Sequence, residues 1–196
     1  MIDTRKPVRS QPRKIVRPGV ITNWKAAEEQ VIFYRTHLDI FIEDGFAPIK
    51  LTRDQHVMMR EFGNCIDSKD TCSRGFGKTW LSILGAAAMC VLYPGTTVLV
   101  VSATAKQATL ALQKLKQLAD QNANLANEIS ATNARSLVQV AKDSSKCTFK
   151  NGSVIESVAL ESARGRRAKI VIVDEALDVD QELLESIIAP TRNETR

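Results

Sequence analysis

At 196 residues, 44% of them hydrophobic, the chain is long enough for one domain with a real core. Its formal charge of +5 is unevenly placed: Arg5, Lys6, Arg9, Arg13, Lys14, Arg17 and Lys25 against Asp3 give residues 1–25 a net +6, and the other 171 residues sum to −1. No secretory signal follows this basic arm and no stretch reaches the ~18 apolar residues of a membrane span, so the sequence reads as soluble and intracellular.

The arm holds Pro7, Pro12, Pro18 and Gly19 with few large apolar residues, and is expected to be extended or disordered when free. Its charge suits contact with nucleic acid or an acidic partner, and equally a solvated tail. From Asn23 to Phe46 the spacing predicts a helix, with Asn23 as N-cap and Val31, Tyr34, Leu38, Phe41 and Ile42 on one apolar face covering an edge of the core. A second helical stretch follows at 56–62. Gln55, just before it, is 23 residues upstream of Lys78, a distance at which motor ATPases place a glutamine that pairs with the adenine edge; an exposed surface glutamine is the plainer reading.

Cys72-Ser73-Arg74-Gly75-Phe76-Gly77-Lys78-Thr79 ends as a P-loop ends and runs into an apolar helix expected over 78–92. In such a loop the glycines allow the backbone to approach phosphate closely, Lys78 reaches the β and γ phosphates, and the Thr79 hydroxyl holds Mg²⁺. Cys72 stands where the first glycine of the motif belongs. The strand expected to feed the loop, 65–72, is poor by composition because of Asp67, Lys69 and Asp70. Tyr93-Pro94-Gly95 stops the helix, and Thr96 to Val101 is apolar and β-branched enough for a buried parallel strand. Ser102-Ala103-Thr104 then opens an amphipathic helix with Ala108, Ala111, Leu112, Leu115 and Leu118 on one face.

Residues 120–145 are polar and predict surface helix and loop. A hairpin is expected from 146–150 and 153–158 around Asn151-Gly152, a pair suited to a type I′ turn. The basic run Arg164-Gly165-Arg166-Arg167 precedes Lys169 to Ala176, an unalternating apolar strand that ends in Asp174-Glu175, where ligands sit in open α/β sheets. Asp174 would organise Mg²⁺ through water and Glu175 would polarise the water attacking a γ-phosphate. The alternation of strand and helix predicts an α/β fold with a mostly parallel sheet. Cys65, Cys72, Cys90 and Cys147 form no C-x-x-C pair and read as reduced structural thiols, while His37 and His56 read as surface or packing residues.

Gln55, Ser73 to Thr79, Val100-Val101-Ser102-Ala103-Thr104 with Gln107-Ala108, Gly152-Ser153 with Arg164-Gly165, and Ile172 to Ala176 occur in an order that resembles the N-terminal ATPase domain of the large terminase subunit of tailed bacteriophages. Arg74 is the most specific element, since that family carries an arginine three residues before the glycine of Gly-Lys-Thr and often lacks the first glycine. The resemblance covers roughly 30–190 and leaves the arm outside.

It implies a P-loop NTPase of the additional-strand, catalytic-glutamate type, using ATP and Mg²⁺. Gln55, Ser73, Arg74, Gly75, Phe76, Gly77, Lys78 and Thr79 would bind nucleotide, Thr79 and Asp174 the metal, and Arg74 and Glu175 would act on the γ-phosphate. Arg164, Arg166 and Arg167 are candidates to act on DNA or in trans on a neighbouring subunit. The implied partners are double-stranded DNA, the portal protein, the small terminase subunit and copies of the chain in a ring, in the host cytoplasm. In that division one more strand, carrying the coupling motif, follows Asp174-Glu175 and inserts beside the P-loop strand. Here 177–196 reads as a helix over 179–189 closed by Pro190, with no room for that strand or for a nuclease domain. The expectation is therefore a truncated ATPase domain over 26–196, with weak nucleotide binding, slow turnover and an open strand edge. A superfamily 2 helicase or translocase fragment, or an inactive nucleotide-binding module, is the alternative.

Overall fold

A computed structural model of the chain describes residues 23–46, 49–73, 75–130, 139–140, 144–175, 182 and 185–186. The basic arm through residue 22, Arg74 and most of the expected helix over 179–189 lie outside the described residues, though Glu182, Glu185 and Ser186 are helical.

Helix α1 (Trp24–Thr36) begins at Asn23, whose side chain accepts from the Ala26 N–H at 3.1 Å. The single helix expected to Phe46 is instead broken at His37 into α1, the short α2 (Leu38–Phe41) and a π-helical turn over Ile42–Phe46. The break reorients the apolar residues: Leu38 and Ile42 are fully buried, whereas Val31 stays exposed on α1. Buried Asp39 pins α2 to α3 (Arg53–Asn64), its Oδ2 accepting from His56 Nδ1 and Arg60 Nε at 2.9 Å each. His56 is thus a packing residue, as the sequence suggests.

No strand forms over 65–72. Those residues are irregular and mostly exposed, and Ile66, the one large aliphatic among them, is 95% exposed. Without alternating apolar residues the segment cannot bury a face, so the strand expected there is not present. Helix α4 (Lys78–Leu92) spans the expected range and is buried along most of its length.

Beyond it come β1 (Thr97–Ser102), α5 (Ala105–Gln121), α6 (Ala123–Glu128), β2 (Gln139–Val140), β3 (Ser144–Thr148), β4 (Val154–Ala159), α7 (Leu160–Ala163) and β5 (Ile170–Val173). They build one five-stranded mixed sheet in the order β2-β3-β4-β1-β5. Strands β4, β1 and β5 run parallel, with Leu99 opposite both Glu156 and Val171. Strands β2 and β3 join antiparallel. Among the described residues β5 pairs only with β1, so its outer edge is open.

Strand β1 sits second from that edge and is buried on both faces. Val98 and Val100 join the larger core with α3, α4 and α5, and Leu99 and Val101 join a smaller one with Val158, Leu160, Ala163 and Ala168. Burial on both sides explains why its sequence shows no alternation.

The β3–β4 hairpin forms, but not through a type I′ turn, since Asn151 is not in the left-handed region. Gly152 alone has positive φ (+84°); its N–H bonds the Phe149 carbonyl and the Phe149 N–H bonds the Ser153 carbonyl. This is the longer turn with a glycine bulge. It leaves Asn151 free to donate to the Cys90 carbonyl at 2.8 Å and accept from the Ser153 N–H, while Ser153 Oγ donates to Cys90 O at 2.9 Å and Tyr93 O at 3.2 Å. The hairpin tip is stitched to the far end of α4.

Candidate nucleotide site

The P-loop ends in two left-handed glycines, Gly75 (φ +86°) and Gly77 (φ +87°), a conformation that a β-carbon would strain. Gly77 is the N-cap of α4 and offers no side chain to its first turn, which also contains no acidic residue. The helix therefore presents uncapped N–H groups and the positive end of its dipole at the loop, the local basis of phosphate binding. Lys78 Nζ reaches back across the loop to the main-chain carbonyls of Cys72 (2.6 Å) and Ser73 (3.4 Å).

Two elements far apart in sequence close on this loop. Thr79 Oγ1 donates to Asp174 Oδ1 at 3.1 Å, and Asp174 is held by a bond from its own N–H to Val101 O at 3.0 Å. The proposed metal-binding hydroxyl and carboxylate are thereby side by side at the carboxyl end of β5. Among the described residues no group of three or more His, Cys, Asp and Glu could hold a metal ion. One carboxylate and one hydroxyl is nevertheless a donor set that fits Mg²⁺, which takes its remaining ligands from phosphate and water.

Glu175 follows at φ +57°, the one non-glycine residue with positive φ among those described. Its side chain turns toward the N-terminus of α5, where Gln107 Nε2 donates to Glu175 Oε2 at 2.5 Å. Gln107 is also the N3 residue of a capping box with Thr104. Gln55 stands in a matching box with Thr52 at the start of α3, and its Nε2 donates to Phe76 O at 3.3 Å. Gln55 is thus placed against the P-loop, with one end of its amide closing a helix and the other bracing the loop.

The basic run divides. Arg166 is committed at home, paired with Glu156 of β4 and donating to Ser162 O at 2.8 Å, while Arg164 and Arg167 are exposed. Sequence reasoning gives Gln107 no role of its own; the signal was the Thr104-x-x-Gln107 box directly after a buried parallel strand. The cysteines are reduced, with Cys90 and Cys147 buried, Cys72 half-buried and Cys65 exposed. Burial pushes the thiols of Cys90 and Cys147 up to about 12.

Comparison with known proteins bears on the family and the fold. The family model described as terminase large subunit, T4likevirus-type, N-terminal, matches residues 71–192. Among solved structures the chain is similar to the large terminase ATPase domain of Thermus phage P74-26, with a TM-score of 0.53 and 17% identity over 80% of this chain and 64% of that one. It is similar also to an arginine-to-alanine mutant of that domain, with a TM-score of 0.55 and 17% identity over 80% of this chain and 65% of that one. The chain thus spans slightly under two-thirds of the length of each. No curated protein matches. At 17% identity the structural likeness speaks for the P-loop NTPase fold alone, but the family match runs from the phosphate loop through the acidic strand and past it, and on that ground the chain belongs to the terminase large subunit family, in its N-terminal region.

Proposed function

We propose that this chain is the ATP-hydrolysing part of a DNA-packaging motor, its turnover coupled to movement of double-stranded DNA. The observation that carries the reading is the 3.1 Å contact between Thr79 and Asp174, which are 95 residues apart and meet beside an uncapped helix start. Ser73, Gly75, Phe76 and Gly77 form the loop around the phosphates, joined by Arg74. Lys78 exchanges its main-chain carbonyls for the β and γ phosphates, and Gln55 meets the adenine edge. Thr79 and Asp174 would hold Mg²⁺, and Glu175 would orient the attacking water. When bound, Mg²⁺ would neutralise charge on the β and γ phosphates. Catalysis of this kind is positioning and electrostatics rather than covalent chemistry, and these are the tasks proposed for the residues named. Arg164 and Arg167, both exposed, are the members of the basic run proposed to act on a neighbouring subunit or on DNA. The portal protein, the small terminase subunit and further copies of the chain are the proposed partners.

The test is binding of a fluorescent ATP analogue to the parent chain and to Lys78→Ala, in the presence of Mg²⁺. Loss of the ammonium is expected to weaken binding about tenfold or more, the size of one charged hydrogen bond. Equal affinity would remove the P-loop reading and leave a non-enzymatic module.

A further inference from the structure

From the contact at the start of α5 we infer that Gln107 is a positioning residue for Glu175: its amide fixes the orientation of the carboxylate that faces the nucleotide. The inference rests on the reading of Glu175 as the carboxylate that orients water, and it goes beyond it by naming what holds that group in place.

Three observations carry it. Glu175 is exposed and follows the last residue of β5 by two positions, so the sheet itself does not hold its side chain. Its backbone is nevertheless held in the left-handed region at φ +57°, which a non-glycine residue adopts only when its surroundings compensate. Among the described residues, the side-chain contact that meets Glu175 there is the 2.5 Å bond from Gln107 Nε2.

The direction of the Gln107 amide is determined as well. Its Oε1 accepts from Thr104 N at 3.1 Å and from Thr104 Oγ1 at 2.9 Å, and the Gln107 N–H returns a bond to Thr104 Oγ1 at 3.3 Å. Flipping the amide would turn its NH₂ toward the Thr104 N–H and its oxygen toward a carboxylate, losing bonds at both ends. The capping box therefore leaves the NH₂ group one orientation, toward Glu175. Helix α5 is itself fixed to the sheet by buried Ala108, Ala111, Leu112 and Leu115. The positional chain thus runs from the core through α5, through Thr104 and Gln107, to one oxygen of Glu175. Because Nε2 engages Oε2, the other oxygen is left to accept from a water. A general base held in this way keeps its rotamer without a further contact from the strand.

Two measurements on the full chain test this. In ¹H–¹⁵N correlation spectra the side-chain amide of Gln107, assigned by its disappearance in Gln107→Glu, is expected to have one proton shifted downfield and protected from exchange. It should lose both properties in Glu175→Ala. A Gln107 signal indifferent to Glu175→Ala would overturn the contact whatever the chain hydrolyses. The second is single-turnover ATP hydrolysis with enzyme in excess. Gln107→Glu keeps the acceptor that Thr104 needs but replaces the donor with a second carboxylate facing Glu175, so analogue affinity should hold within about twofold while the rate falls at least about 10-fold, from the lost charged hydrogen bond and the like-charge contact together.

A Gln107→Glu rate equal to or above the parent, alongside an inactive Glu175→Ala, would overturn the positioning role and leave the ATPase reading standing. A Glu175→Ala chain that hydrolyses at the parent rate would sink the reading of Glu175 and this inference with it. If the parent chain hydrolyses no ATP, the amide signal alone decides.

Discussion

Lys78 holds its place by donating to the carbonyls of Cys72 and Ser73, so the loop is closed by its own lysine before any phosphate arrives. On the proposed reading, phosphate would exchange one set of acceptors for another, and the cationic head would keep partners throughout. This has a measurable counterpart in Cys72, whose carbonyl is one of those acceptors and whose side chain is half-buried. Alkylation near pH 8 should modify Cys65 and Cys72 and spare Cys90 and Cys147, which are buried and whose thiols stay protonated up to about pH 12. Mg²⁺ with ATP should slow modification at Cys72 alone, as read by peptide mass. Labelling of Cys90 or Cys147 at a rate comparable to Cys65 would contradict the packing around α4 and β3.

At the level of elements, the sequence was most legible where burial is uniform. Strand β1, helix α4 and the apolar face of α5 were each readable, because a continuous apolar run or a 3.6-residue period leaves a strong trace. Three things were less so. The strand expected over 65–72 does not form, because without alternating apolar residues the segment has no face to bury. The break at His37 separates helices whose apolar residues keep a helical spacing across it, so periodicity alone does not reveal it. The turn at Asn151-Gly152 differs from expectation because the Asn151 side chain is recruited by α4, a tertiary contact that local turn preferences do not contain. Of the candidate site, motif chemistry names Lys78, Thr79 and Asp174, and the structure brings Thr79 and Asp174 into contact; the contact of Gln107 with Glu175 depends on which helix start adjoins β5, which spacing does not reveal. A prediction belongs to the α3–α4 contact. A β-carbon on Gly85 would lie 3.2 Å from the Phe62 ring and 3.4 Å from Met59 Sδ. Gly85→Val should therefore destabilise the fold by about 1–3 kcal/mol through overpacking, seen as a lower urea midpoint with an unchanged slope. An unchanged midpoint would mean the two helices can separate at little cost.

For the molecule as a whole, the buried thiols set an alkaline limit. Cys90 and Cys147 are raised from about 9 to about 12, the first by burial and then by the neighbouring Cys147 charge, the second by burial. Their contribution is complete below pH 9. Above it the unfolded chain loses thiol protons that the folded chain retains, so stability falls as pH rises from about 9 to 12, at most on the order of 1 kcal/mol per pH unit for each thiol. Thermal midpoints measured across that range should drop, and the drop should shrink in Cys147→Ala relative to its own midpoint at pH 8. A Cys147→Ala slope equal to the parent would assign the alkaline loss to other groups. A different property follows from how α4 is fastened. At 15 residues it is a rod of about 22 Å, with the phosphate loop at one tip. At its other end the Cys90, Leu92 and Tyr93 carbonyls are gripped by Asn151, Ser153 and Arg35. Such a rod cannot slide along its axis or turn about it without dragging the β3–β4 tip and α1, so a push at the phosphate end arrives undamped at the opposite pole of the domain. Mechanically, α4 is a strut that joins the phosphate-loop end of the domain to its far side.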